Sequence, residues 1–198
     1  MVRGSGSIGR LLAFPMLSDA VRRHRFQRVL DLGCGDASFL IYLCQHNPDL
    51  HGCGLDIEHE AIALSRQRLE EHNLQSRVEL VEGDIFEIGA LAPRLPAIDV
   101  ATSVYVLHEF QDRIVEVLTR FRATFPGLPL LMCEVIRHTP EELRQRPGNI
   151  LEIQLFHELS NQHLFTLAEW RRMFEEAGFA NIDETYLQVA RTCIYRVS

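Results

Sequence analysis

The chain has 198 residues, 46% of them hydrophobic and 24% charged, which suffices for one domain with its own buried core. Its net charge of −7 argues against a nucleic-acid partner, because phosphates select basic surfaces. The 20 cationic side chains are all arginine and scattered apart from Arg22, Arg23, Arg25 and Arg28, so no basic stripe emerges, and no apolar run approaches the ~20 residues of a membrane span.

Residues 1–9 are Gly/Ser-rich without the apolar centre of a secretory leader and read as a flexible lead-in. Residues 8–25 are expected to form an amphipathic helix with Leu11, Leu12, Phe14, Leu17 and Val21 on one side and an interruption at Pro15. Short apolar runs of strand type then follow at 27–32, 51–57, 78–82, 97–103 and 129–135. Between them lie stretches of helical period at 38–46, 58–72 and 112–124. Strands apolar on both faces and separated by helices imply a parallel sheet covered on both sides, hence a doubly wound α/β domain. Further on, helices are expected at 148–159 and 166–177, the second opened by a capping box of Thr166 and Glu169 and stopped by Gly178. Two closing strands, 181–186 and 190–197, should pair as an antiparallel hairpin at the sheet edge, completing seven strands. The organisation is therefore a lead-in and helix over 1–26 and a single domain over 27–198. Cys34, Cys44, Cys53, Cys133 and Cys193 are odd in number and form no Cys-x-x-Cys pair, which reads as small buried thiols in a reducing compartment and predicts a cytoplasmic location.

The chemistry begins at Val29-Leu30-Asp31-Leu32-Gly33-Cys34-Gly35-Asp36-Ala37-Ser38, a buried strand running through a tight glycine turn into a helix. Glycines at 33 and 35 let the backbone pass close to a ligand. The next strand ends in Gly54-Leu55-Asp56-Ile57, placing a carboxylate where a ribose diol can be held by hydrogen bonds. Dinucleotides and S-adenosylmethionine share this layout. A dinucleotide site wants a third glycine where Ser38 stands, and Asp31 would repel a pyrophosphate, whereas it suits the ammonium of a methionine moiety.

These motifs resemble motif I and its successors in the class I S-adenosylmethionine-dependent methyltransferases, whose fold is a Rossmann-like, mostly parallel seven-stranded sheet. The resemblance implies that Asp31 supports the methionine amine, that Gly33 and Gly35 approach the cofactor, and that Asp56, followed by Ile57, binds the ribose. It implies an adenine site at Gly83-Asp84-Ile85, with Asp84 accepting from the exocyclic amine and Ile85 or Phe86 flanking the ring. Ala37 departs from members that carry a third glycine. Strand four ends in Ser103-Val104-Tyr105-Val106-Leu107-His108-Glu109-Phe110, the position that faces the transferred methyl, which counts Ser103 as a cofactor contact and His108 and Glu109 as catalytic residues. No Asn-Pro-Pro-Tyr or Asp-Pro-Pro-Tyr stands there, which argues against amide and nucleobase N-methylation.

The pair His108 and His157 with their flanks resembles the α-keto acid C-methyltransferases, the phenylpyruvate and 2-ketoarginine group. That likeness implies iron or zinc held by His108 and His157, a 2-oxo acid chelated by the metal, and Glu109 as the base that removes the C3 proton. His163 and His138 are reserve ligands, Glu134 is a ligand or supporting partner, and Arg22 and Arg25 are anion partners. Two other readings stand beside it: metal-free O- or N-methylation of a small molecule with His108 as general base, and a noncatalytic cofactor-binding domain. The resemblance leaves a homodimer open and implies a small-molecule substrate rather than nucleic acid or membrane.

Overall fold

The computed structural model describes residues 7–145, 159, 163–188 and 191–198. Seven strands form one sheet in the order β3-β2-β1-β4-β5-β7-β6, with β1 Arg28–Leu32, β2 His51–Asp56, β3 Val78–Glu82, β4 Val100–Val104, β5 Leu130–Val135, β6 Ile182–Leu187 and β7 Thr192–Val197. The first five strands pair in parallel, and β7 runs antiparallel to both β5 and β6. This is the expected doubly wound α/β sheet with a closing hairpin at its edge. From β1 the chain winds outward to β2 and β3, then returns to lay β4 on the other side of β1. That reversal opens a crevice beyond the carboxyl ends of β1 and β4.

Side chains divide between two cores because successive strand residues face opposite sides. Leu30, Leu32 and Leu55 pack toward α5 (Ile114–Thr124) and α7 (Leu167–Glu176), which contribute Phe121, Trp170 and Phe174. Val29, Val100 and Cys133 face α1 (Ser7–Arg23), α2 (Ser38–His46) and α3 (His59–Glu71). The edge strand β6 exposes Asp183, Glu184 and Thr185, which suits a strand with no outer neighbour. All five cysteines are buried free thiols, as expected.

Helix α1 departs from expectation in two ways. Its buried face is Ala13, Leu17 and Val21, spaced by four, whereas Leu11 and Leu12 are 72% and 38% exposed. The helix also continues through Pro15, whose exposed position lets water reach the carbonyl that the proline ring cannot serve. Shorter elements escaped the periodicity reading: turns at Ile85–Glu87 and Ala92–Arg94 around α4 (Ile88–Leu91), a 3-10 segment Leu107–Arg113, and α6 (Pro140–Gln145). Each spans too few residues to show a hydrophobic period. The expected helix at 148–159 falls, except for residue 159, outside the described residues. Among the described residues no helix is long and apolar enough to cross a membrane.

Candidate functional site

A cleft of about 570 Å³ opens at the crevice between β1 and β4, within the size range of small-molecule and cofactor pockets. The glycine turn forms its floor. Gly33 and Gly35 adopt φ of 72° and 54°, and Ala37 follows at 56°. A Cβ on Gly33 would lie 2.5 Å from Val106, so the turn packs against the far wall only because that atom is missing. A Cβ on Gly35 would meet nothing within 4 Å; there the backbone borders open cleft.

Carboxylates stand at the ends of three strands around this floor. Asp31 is 3% exposed and accepts a 2.7 Å hydrogen bond from Thr102 Oγ1. Burial pushes its acid up to about 7; Thr102 works against the shift and the nearby charge of Asp56 adds to it. Asp56 Oδ2 accepts from the Gly35 amide at 2.7 Å, and Oδ1 accepts from the Glu58 amide at 3.0 Å. Asp84 caps the following turn, its Oδ1 accepting from the Phe86 amide at 2.9 Å. Ile85 is buried at the cleft wall, and Ile57, 59% exposed, borders the rim. The structure therefore brings Asp31, Gly33, Gly35, Asp56, Ile57, Asp84 and Ile85 to one cavity. Ser103 is not brought there: it is fully buried within β4, and its hydroxyl makes no hydrogen bond among the described residues. The hydroxyl that does serve the site is its neighbour Thr102, through Asp31.

Other residues of the site gave no signal in the sequence. Arg68 Nη1 donates to the Asp36 carbonyl at 3.0 Å and to Ser38 Oγ at 2.7 Å, and pairs with the Asp36 carboxylate. With Ser65, whose hydroxyl donates to the Gly35 carbonyl at 2.7 Å, it clamps the turn from α3. Arg113 lies 3.6 Å over the Phe86 ring, and Phe110 meets that ring edge-on, so a cation and two aromatics close the Asp84 end. Such contacts join distant segments and leave no local spacing to read.

On the loop after β4, Val106 and Glu109 line the cleft, and His108 between them in the chain is 5% exposed. His108 Nδ1 is 2.7 Å from Glu134 Oε2. Glu134 is fully buried at the end of β5, and its other oxygen accepts from the amides of Val106 and Leu107 at 3.2 and 2.8 Å. Burial disfavours protonation of His108, but the charge and hydrogen bond of Glu134, aided by Glu109, outweigh it and hold the imidazole above its usual value.

The proposed second ligand, His157, lies outside the described residues. Among the described residues no group of three or more His, Cys, Asp and Glu side chains is arranged to hold a metal. His138 contacts Tyr186 and Glu142 instead. Arg22 pairs with Asp19 on the surface of α1, and neither Arg22 nor Arg25 lines the cleft.

This combination, a doubly wound sheet with a glycine floor and carboxylates at consecutive strand ends, coincides with a family match. A model described as a methyltransferase domain fits residues 24–178. The chain belongs to the methyltransferase-domain family. This methyltransferase domain is 26% identical over 164 residues to the methyltransferase ungE' of Aspergillus campestris, covering 77% of the chain and 48% of that protein. It is 25% identical over 166 residues to indolepyruvate C-methyltransferase of Streptomyces griseus, covering 82% and 49%. The chain thus spans about half the length of the curated relatives it matches. In fold it superposes on an O-methyltransferase family protein from Burkholderia thailandensis with a TM-score of 0.76 at 21% identity, covering 96% of this chain and 55% of the other.

Proposed function

We propose that this methyltransferase domain transfers a methyl group from S-adenosylmethionine to a hydroxyl oxygen of a small molecule, with His108 as general base. The observation that carries the reading is the buried contact of His108 Nδ1 with Glu134 Oε2 at 2.7 Å, on the loop that walls the cleft. Glu134 fixes the tautomer that leaves Nε2 as the proton acceptor, and its charge stabilises the imidazolium that forms.

The cleft suits the cofactor in donor chemistry as well as size. Asp31 meets the ammonium of the methionine end, Asp56 accepts from the ribose hydroxyls, and Asp84 accepts from the exocyclic amine of adenine between Ile85 and Phe86. Bound there, S-adenosylmethionine supplies an electrophilic methyl on a sulfonium. The Gly33–Gly35 floor lets the nucleoside settle against backbone, and the apolar wall at Val104 and Val106 keeps water from competing for the methyl. As the acceptor oxygen bonds to the methyl, its proton passes to His108, and a methyl ether and the thioether cofactor leave.

A second reading draws on the likeness to indolepyruvate C-methyltransferase. In that reading the acceptor would be the carbon beside the ketone of a 2-oxo acid, His108 and His157 would be the residues to hold iron or zinc, which would supply Lewis-acid stabilisation of negative charge on the ketone oxygen, and Glu109, which lines the cleft, would take the proton.

One experiment separates the readings. The protein is incubated with methyl-labelled cofactor and a panel of phenols, aliphatic alcohols and 2-oxo acids, with and without chelator, and the label is located by mass spectrometry. Label on oxygen that persists with chelator supports the first reading; label on carbon that is lost with chelator and restored by metal supports the second. No labelled product from any acceptor, with cofactor bound, contradicts both and leaves a noncatalytic binding domain.

A further inference from the structure

The loop that carries His108 holds two non-glycine residues in the left-handed region, Tyr105 at φ 59° and Gln111 at φ 54°. Gln111 combines that φ with a ψ of −122°, a conformation that favours glycine and that other residues keep only when their surroundings over-determine it. Its side chain shows what does so. Nε2 donates to the His108 carbonyl at 3.2 Å, and Oε1 accepts from the His163 amide at 3.2 Å. The His163 segment is itself anchored, since the Arg137 amide donates to the Phe165 carbonyl at 2.9 Å and Ile136 bridges Phe165 in parallel. His108 is therefore tied twice to β5 and its continuation. Glu134 holds its ring, and Gln111, by way of His163, holds its backbone.

We propose that Gln111 is a positioning residue for His108: its side-chain amide couples the carbonyl of the base to the segment entering α7, and the backbone strain at 111 is the cost of aiming that amide. Glycine would relax the backbone but make neither bond, alanine would keep the strain without the bonds, and glutamate would keep the acceptor for His163 but not the donor for His108. The inference rests on the reading of His108 as the base.

The test compares Gln111→Gly, Gln111→Ala and Gln111→Glu in the full chain by thermal unfolding, steady-state kinetics and ¹⁵N NMR of the His108 imidazole, assigned with His108→Gln. Gln111→Gly should unfold at or above the wild-type temperature and above Gln111→Ala. Its kcat should nevertheless fall roughly 10- to 100-fold, the scale of a misplaced catalytic group, with the cofactor KM unchanged. The His108 imidazole signals should broaden or split, and Gln111→Glu should lie between the wild type and Gln111→Gly in kcat. A Gln111→Gly protein with wild-type kcat and unchanged imidazole signals would overturn the proposal. So would an unfolding temperature lowered as much as in Gln111→Ala, which would make the bonds merely structural. Should the wild type turn over no acceptor, the reading of His108 as base fails separately, and the imidazole signals still decide whether Gln111 positions it.

Discussion

The amide of Gly35 donates to Asp56 Oδ2 at 2.7 Å, across 21 residues of sequence. Asp56 therefore has two tasks. It holds the glycine turn against the end of β2, and it presents the remainder of its carboxylate to the cleft. Asp56→Ala should weaken binding of S-adenosylhomocysteine by about 1.5–3 kcal/mol, roughly 10- to 150-fold, because charge-assisted hydrogen bonds to the ribose are lost. Asp56→Asn, which keeps an acceptor for Gly35 but loses the charge, should fall between. Calorimetric titration checks both; affinity unchanged in Asp56→Ala would remove this residue from the site.

Asp31 predicts a pH dependence of defined sign. Its acid is pushed up to about 7 in the folded chain from an ordinary 3.8, chiefly by burial. Between about pH 4 and 7 the native state keeps a proton that the unfolded chain has already released, so stability of the cofactor-free protein falls as pH rises through that window. An ammonium docked beside Asp31 favours the ionised form, so cofactor affinity should rise as pH passes upward through about 7. Asp31→Asn should flatten both profiles. Chemical denaturation and calorimetry from pH 5 to 8 measure them, and a stability that rises across the window would contradict the assignment.

The buried pair of His108 and Glu134 should separate chemistry from binding. His108→Ala is expected to lower kcat on the order of 10²- to 10⁴-fold while leaving cofactor affinity near wild type. Glu134→Gln should lower kcat by a smaller factor and also loosen the Val106–Leu107 turn, whose amides Glu134 accepts. Parallel kinetics and cofactor titration check this; equal losses in affinity and kcat would make the pair structural.

The closeness of the glycine floor to the opposite wall gives a steric prediction. Gly33→Ala places a methyl 2.5 Å from Val106 in a residue already at φ 72°, so the wall must move. The variant should lose stability and bind cofactor poorly. Adding Val106→Ala should recover part of both by making room for the methyl, although strain at φ 72° persists. Thermal unfolding with and without cofactor reads the effect, and an unperturbed single variant would mean that the turn is looser than its contacts imply.

Much of the sheet was legible because short runs apolar on both faces alternate with stretches of helical period, and because caps announce themselves locally. Thr166 and Glu169 do form the expected capping box, and Glu169 also receives Arg137, which with the capping bonds draws its acid down to about 2 despite burial. The carboxylates at strand ends were legible for the same reason: each follows a recognisable run of apolar residues. What escaped was whatever depends on segments far apart in the chain, such as Arg68 clamping Asp36, Arg113 over Phe86 and Gln111 reaching His163. Ser103, expected as a cofactor contact, and Thr102, which bonds Asp31, are both buried and face opposite sides of the sheet, so a difference of one residue decides which hydroxyl meets Asp31.

Isothermal titration of the wild-type protein with S-adenosylhomocysteine tests most directly whether the cleft is a sulfonium-nucleoside site. One molecule should bind per chain with measurable heat, and the affinity should drop in Asp56→Ala and Asp31→Asn but hold in His108→Ala. An absence of binding by a folded wild-type protein, or an affinity indifferent to both aspartates, would contradict it.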